Sequence, residues 1–349
     1  MDLSRADARR LRWSAQLMGG SQLSPAAVVD RAVALQGQDL PAVLRAVAIR
    51  SRPGTTVDDV RAAFDAGILV RSWPMRGTLF ATTPAHLAAL LRRTAARTHR
   101  SAVRRREQLG LDDATIDRAR AILSDALRDA PRTRAEALAL WEADGIATSG
   151  GRGYHLLFHL AVGGLMHWGP FAGPEQLLVP SPPADADEAT PEPASLAGLL
   201  RGYVTARGPV TPDDAAWWFK LPKTALRQAA ALIDDLVEVN VDGSPAWVIG
   251  EPDAPVASGV TLVPAFDEWI LGYGDRSLVA SAETMDALVP GGNGVFRPAV
   301  LVDGVVVGTW RLPAARSAKT RVPVVELIER TDAASRRAIE RALAAWPHG

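Results

Sequence analysis

The sequence contains no cysteine. Disulfide staples, thiol nucleophiles and thiolate-ligated zinc are therefore excluded, and a reducing cytoplasm is the expected setting. Lysine is almost as scarce: Lys220, Lys223 and Lys319 stand against 36 arginines. No uncharged apolar run approaches the roughly 18 residues a membrane-spanning helix requires, so no membrane partner is expected. The opening MDLSRADARRLRWSAQLMGG has arginines but no apolar signal core, and it carries Asp2 and Asp7. It is expected to be a first helix rather than a targeting segment. A Gly-x-Ser-x-Gly elbow, a Walker loop and a dinucleotide fingerprint are also missing, which argues against triphosphate hydrolysis and hydride transfer.

What is present suits a globular chain of two or three units: 349 residues, 48% apolar and 22% charged. The net charge of zero conceals a division. Residues 1–110 hold 18 arginines and 8 acidic residues, whereas the remainder holds 21 basic and 31 acidic ones. Such asymmetry points to an anionic partner on the first part. A preference for arginine over lysine also follows from a GC-rich genome, so the placement of the arginines carries more weight than their number.

Three stretches repeat one order, capped helices followed by a short apolar hairpin. Helix signals over 4–17, 24–35, 40–51 and 57–66 precede a hairpin at 68–82 whose arms flank Pro74. Helices near 113–129, 133–144 and 152–163 precede a hairpin at 164–179. Helices near 195–207, 211–219 and 222–235 precede a hairpin at 236–250 with an Asp-Gly turn. Three helices and a two-stranded wing form the winged variant of helix-turn-helix. The expected segments are a first winged helix with an Arg-rich helix (1–110), a second (111–180), a Pro/acidic linker (181–194), a third (195–255), and a β-rich C-terminal region (256–349). In the last, strand signals at 260–264, 295–302 and 305–312 surround an Asp303-Gly304 turn, and a final helix covers about 332–345.

Several segments could carry chemistry. In LLRRTAARTHRSAVRRRE (90–107), Arg93, Arg97, Arg100 and Arg104 recur at helical spacing and share one face. The pattern fits either a solvated face or a phosphate-contacting helix, since guanidinium forks match phosphate oxygens. In ALQGQDLPAV (34–43), Gln36 and Gln38 flank Gly37 just after a helix. A carboxamide is no base; it orients groups by hydrogen bonds, so a reaction built on it needs an activated leaving group. His155 and His159 stand at metal-like i, i+4 spacing, but their helix offers no third ligand, and packing or DNA-facing roles are favoured. AFDEWILGYGDRS (265–277) mixes Asp267, Glu268, Asp275 and Arg276 with Trp269 and Tyr273. It suits an acid–base pair or, preferably, a structural Asp–Arg ion pair. Finally, Arg297 and Arg311 stand beside Phe296 and Trp310 on a predicted ribbon, an arrangement for base or phosphate contact or for core packing.

Taken together, LQGQD (35–39), RSWPMRGTL (71–79), AFDEWILGYGDRS (265–277) and NGVFRPAVLVDGVVVGTWR (293–311) resemble the winged-helix AlkZ/YcaQ family of bacterial DNA glycosylases, in family order and over nearly the whole chain. The resemblance implies an α+β fold with three tandem winged-helix units around a concave DNA channel and a β-rich C-terminal part. It implies release of bulky or crosslinking N-alkylated purines, with a Gln-Φ-Gln catalytic signature falling on Gln36 and Gln38. Two positions depart from the pattern: Gly37 replaces a larger apolar residue, and Phe80 stands where the resemblance leads one to expect histidine.

The expectation is a monofunctional DNA glycosylase, with Asp39 as a possible assisting group and DNA contacts from Arg76, Arg93, Arg97, Arg100, Arg104, Arg297 and Arg311. No metal or other cofactor is expected. The expected partner is double-stranded DNA carrying alkylated purines, met by a monomer in the cytoplasm at the nucleoid. The alternative is a non-catalytic winged-helix DNA-binding protein, either a transcription regulator or a lesion sequesterer.

Overall fold

A computed structural model describes residues 1–182, 192–252, 259–312 and 323–345. Side-chain caps set most helix starts. Strand β1 (Asp2–Leu3) leads into α1 (Arg5–Ala15), where Ser4 and Asp7 form a reciprocal capping box. Helix α2 (Pro25–Arg31), capped by Ser24, is followed by β2 (Ala34–Gln36), α3 (Leu40–Ala48) and α4 (Val57–Asp65). The hairpin β3 (Val70–Met75) and β4 (Thr78–Thr82) precedes α5 (Pro84–Gln108), a continuous helix of 25 residues. Helices α6 (Asp113–Asp129), α7 (Arg134–Ala143) and α8 (Arg152–Val162) precede the hairpin β5 (Met166–Ala172) and β6 (Glu175–Pro180). Helices α9 (Glu192–Arg207), α10 (Pro212–Phe219) and α11 (Lys223–Ala230) precede β7 (Leu236–Val241) and β8 (Ser244–Ile249). The last part comprises β9 (Val260–Val263), α12 (Glu268–Leu271), α13 (Ala282–Leu288), β10 (Ala299–Val302), β11 (Val305–Arg311), β12 (Val324–Leu327) and α14 (Ala333–Ala344). The fold is α+β, as the sequence implies. Of the linker expected over 181–194, residues 183–191 lie outside the described residues.

The chain divides into two compact units, residues 1–60 with 192–349 and residues 61–191. The segment expected over 1–110 is shared between them. The first unit holds a sheet in the order β1-β7-β8, with β1 parallel to β7, and an antiparallel sheet in the order β12-β11-β10-β9. Its core includes Trp13 set edge-on to Trp269 at 6.0 Å between ring centres. The second unit pairs β4, β3, β5 and β6 in that order. Its core gathers around Trp73, which meets Trp168 at 4.8 Å and Phe158 at 5.7 Å.

Local physics corrects several expectations. Pro74 is not the turn of the first hairpin. Met75 pairs with Thr78, so the two-residue loop is Arg76-Gly77, with φ of 60° and 70°. Positive φ at both positions is the type I′ turn that matches strand twist. Pro74 lies inside β3, where the register shifts and a missing N–H is tolerated. The helix expected over 24–35 ends at Arg31, because Val33 adopts φ 65° and breaks the helical path. Gln36 therefore ends a short strand and Gln38 lies just beyond it, rather than both following a helix. The helix expected to reach 235 stops at Ala230, and the strand expected from 295 begins at Ala299.

Candidate active site and nucleic-acid surface

The glutamine loop starts from an unusual backbone. A β-branched residue at positive φ is strained by about 1–2 kcal/mol, yet Val33 holds that conformation three residues before Gln36. Its side chain fits because Gly202 has none: a Cβ there would lie 2.5 Å from Val33 Cγ2. Strand β2 then carries the chain to Gln36, which is buried at 6% exposure, and past the buried Gly37 to the exposed Gln38. Gln36 Oε1 accepts a hydrogen bond from the Gly37 N–H at 3.0 Å. A carboxamide nitrogen cannot accept, so this bond fixes which way the Gln36 amide group faces. Asp39 accepts from the Ala42 N–H at 3.0 Å and is the N-cap of α3. Capping is what the structure gives Asp39.

Two buried carboxylates stand behind this loop. Glu268 Oε1 accepts from the Gln36 backbone N–H at 2.9 Å. Its Oε2 accepts from Arg207 Nε at 2.9 Å and Trp218 Nε1 at 3.2 Å. Arg207 in turn donates to the carbonyls of Ala32 at 3.0 Å and Ala34 at 2.7 Å. Next to it, Asp267 forms a bidentate pair with Arg50, at 2.7 and 2.9 Å, and caps the short helix α12. The acidic pair in AFDEWILGYGDRS thus resolves into two ion pairs, with partners Arg207 from α9 and Arg50, two residues beyond α3. Arg276 extends between Trp217 and Phe296, 5.3 Å from each ring, and donates to the Ile270 carbonyl.

The predicted DNA-contacting arginines fall in both units. Arg97, Arg100 and Arg104 are exposed on α5, and Arg93 is half-buried. At about 100° per residue the four lie within about 60° of one another around the helix. Among the described residues none forms a salt bridge with Arg97, Arg100 or Arg104. Burial and the neighbouring Arg92 lower the Arg93 pKa from its usual value. Arg76 sits at the type I′ turn, 5.8 Å from the ring of the fully buried Phe80. Arg297 and Arg311 are exposed in the first unit. Of the aromatics beside them, Trp310 is core, its indole N–H bonded to the Val263 carbonyl, and Phe296 is half-buried against the Trp13–Trp269 core.

His99, His155, His159 and His167 lie within the packing of the second unit. His99 of α5 lies 4.2 Å from His159 of α8, ring to ring. Burial lowers the pKa of His155, and burial together with His99, Arg106 and Arg120 brings His159 to about 4. His167, bonded to the Ser181 hydroxyl at 3.0 Å, is lowered to about 4 by burial. Among the described residues no three His, Cys, Asp or Glu side chains are placed to hold a metal ion. No helix among them is long and apolar enough to cross a membrane.

Sequence reasoning missed Arg207, Trp218 and Val33, whose roles depend on contacts far apart in the chain. Chemically, the loop offers one buried, oriented carboxamide and one exposed carboxamide two residues later, beside the Asp39 and Glu268 carboxylates, which are engaged in hydrogen bonds. Such a pair can orient a water and stabilise developing positive charge by dipoles.

Comparison with known proteins bears on this geometry. A family model described as "AlkZ-like: DNA glycosylase AlkZ-like" matches residues 29–347. The interstrand DNA cross-link repair glycosylase of Streptomyces sahachiroi is 28% identical over 327 residues, spanning 88% of this chain and 87% of the relative. The solved structure of Streptomyces sahachiroi DNA glycosylase AlkZ aligns with a TM-score of 0.80 at 23% identity, covering 98% of this chain and 95% of that one. The structural likeness speaks for the fold.

Proposed function

The chain belongs to the AlkZ-like DNA glycosylase family, and on that premise we propose that it hydrolyses the N-glycosidic bond of bulky or crosslinked N7-alkylpurines in duplex DNA. The observation that carries the reading is the loop itself, Gln36 buried and oriented, Gln38 exposed, at the end of a strand held from behind.

Alkylation at N7 makes the purine cationic, so it departs with little acid assistance. The remaining task is to support an oxocarbenium-like sugar and direct a water to C1′. Gln38 positions that water, and Gln36 holds it or the deoxyribose, both through hydrogen bonds. Water is the nucleophile, the enzyme is monofunctional, and the product is an abasic site. Asp39 assists only electrostatically, since its carboxylate already caps α3.

Bulky adducts and crosslinks do not fit a tight extrahelical pocket. An open, concave channel reached from a groove suits them better, and the relative named for interstrand cross-link repair supports this class of lesion. The three helices-then-hairpin segments act as winged-helix units. The arginine stripe of α5, with Arg76, Arg297 and Arg311, contacts phosphates. The protein works as a monomer on chromosomal DNA in the cytoplasm.

The test is incubation with 7-methylguanine duplex and with N7-crosslinked duplex, followed by detection of freed base. Gln38→Ala should reduce release by about 10²–10³-fold, the scale of removing one preorganised donor, with DNA affinity changed only a few-fold. Gln36→Ala should cost less. Full activity in the double variant, or DNA binding with no base release by the unaltered protein, overturns the reading.

A further inference from the structure

A single buried ion pair supplies partners for three backbone groups at the candidate active site. Glu268 takes the Gln36 N–H, and Arg207, bonded to the same carboxylate, takes the carbonyls of Ala32 and Ala34. Both side chains are almost fully buried, at 2% and 1% exposure. Against apolar packing, a buried ion pair of this kind adds little stability of its own. Its consequence is directional: forked guanidinium and carboxylate groups fix the atoms they bond in plane and angle.

The surroundings are shaped for this bond set. Arg207 lies 4.5 Å from the Trp218 ring and 5.1 Å from the Tyr203 ring, so aromatic faces enclose it. A Cβ at Gly272 would stand 3.2 Å from both Arg207 Cδ and Glu268 Oε2, and 2.6 Å from the Glu268 carbonyl oxygen. Only glycine leaves that room. Non-glycine residues at positive φ lie on both sides of the bond set, Val33 at 65° and Phe266 at 56°. Such strain persists where the surrounding structure over-determines it, and it accumulates at functional sites.

We propose that Glu268, held by Arg207, is a positioning residue: it fixes the backbone of β2 and thereby the direction of the Gln36 and Gln38 carboxamides. The role rests on the glycosylase reading above, in which those carboxamides aim the water. The pair next to it serves as the comparison. Asp267–Arg50 is equally buried and charged, but it bonds Gln16 and the Ala46 carbonyl rather than residues 32–36.

The experiment compares unaltered full-length protein with Glu268→Gln and Asp267→Asn. Three quantities are measured below the melting temperature of both variants: amide hydrogen exchange at Gln36 and Gly37, the single-turnover rate of base release from 7-methylguanine duplex at saturating protein, and the protein concentration giving half that rate. Both variants lose thermal stability. Only Glu268→Gln is expected to speed exchange at Gln36, by about tenfold or more for the loss of a bond to a charged acceptor. Only it is expected to lower the saturating rate, by about 10²-fold for a displaced catalytic group, with half-saturation within about twofold.

Equal rate losses in the two variants, or faster exchange at Gln36 with an unchanged rate, overturn the proposal. If the unaltered protein releases no base, the glycosylase reading falls, and exchange alone decides the clamp: unchanged protection at Gln36 in Glu268→Gln overturns it. If Glu268→Gln does not fold, Arg207→Lys carries the same comparison, since it keeps the charge beside Glu268 but loses the fork to two carbonyls.

Discussion

The two compact units use arginine in opposite ways. In the unit formed by residues 1–60 and 192–349, Arg12, Arg50 and Arg207 are buried, and each has a carboxylate within 4 Å: Asp214 at 3.8 Å, Asp267 at 2.7 Å and Glu268 at 2.9 Å. Arg12 also lies over the Tyr273 ring at 3.7 Å. In the unit of residues 61–191, Arg97, Arg100 and Arg104 stand exposed along one side of a long helix. The positive excess of the first third of the chain is divided accordingly. Residues 1–60 hold 8 arginines and 6 acidic residues, whereas residues 61–110 hold 10 arginines and 2. Arginine therefore ties together the interior of one unit, which also exposes Arg297 and Arg311, and lines an exposed helix face of the other.

The largest effect expected from breaking this contrast is in the interior. Arg50→Ala leaves Asp267 buried without its bidentate partner, and unfolding stability should fall by about 3–5 kcal/mol, measured by denaturant titration. A loss of under about 1 kcal/mol, the scale of an exposed pair, would erase the distinction between the units. Replacing Arg97, Arg100 and Arg104 together by glutamine should leave stability within about 0.5 kcal/mol per site but weaken binding to all DNA sequences alike. The dependence of log affinity on log salt should then shrink by about 0.9 for each phosphate no longer neutralised. An unchanged slope would return α5 to the role of a solvated helix.

The smallest expected effect concerns protons. In the second unit, His159 and His167 are held at about 4 against an ordinary 6.5, and the pKa of His99 is lowered as well. His159 faces His99 and Arg106 from α5, Arg120 from α6 and His155 from its own helix, and all of these oppose its protonation. Between the two pH values the unfolded chain binds more protons than the folded one, so stability rises with pH in that window. It should be complete above pH 6.5 and decline as the pH falls towards about 4. A melting temperature that falls by a few degrees between pH 6.5 and about 5, where carboxylates stay ionised in both states, checks the sign. His167→Asn should flatten the curve.

Much of the fold is legible because its signals are local. Asp112, Thr133, Thr211 and Asp332 each cap a helix where the sequence places its start. Asp242-Gly243 and Asp303-Gly304 turn two hairpins with positive φ at both residues. Pro74 misleads because proline marks turns more often than strand interiors, and here the irregular register of β3 accommodates it. The glutamine pair is legible through family resemblance, not through its own chemistry. Its support is not legible at all. Glu268 meets the Gln36 N–H across 232 positions of sequence, and Val33 reveals its conformation only once Gly202 lies against it. No periodicity or spacing encodes such a contact.

The division of the chain also sets an order in time. The unit of residues 61–191 is one continuous stretch, so all of its core residues are in hand when synthesis reaches residue 191. The other unit is closed by partners on either side of that stretch: β1 pairs with β7 through Asp2 and Asn240, and β2 takes its bonds from Arg207 and Glu268. Domains fold largely as units while the ribosome extends the chain at about 5–20 residues per second. The glutamine loop, made among the first forty residues, therefore waits for residue 268 before its geometry can set. A nascent chain arrested before that point should carry a folded arginine-bearing unit and an unformed glutamine loop, a difference that limited proteolysis of ribosome-bound chains would read directly.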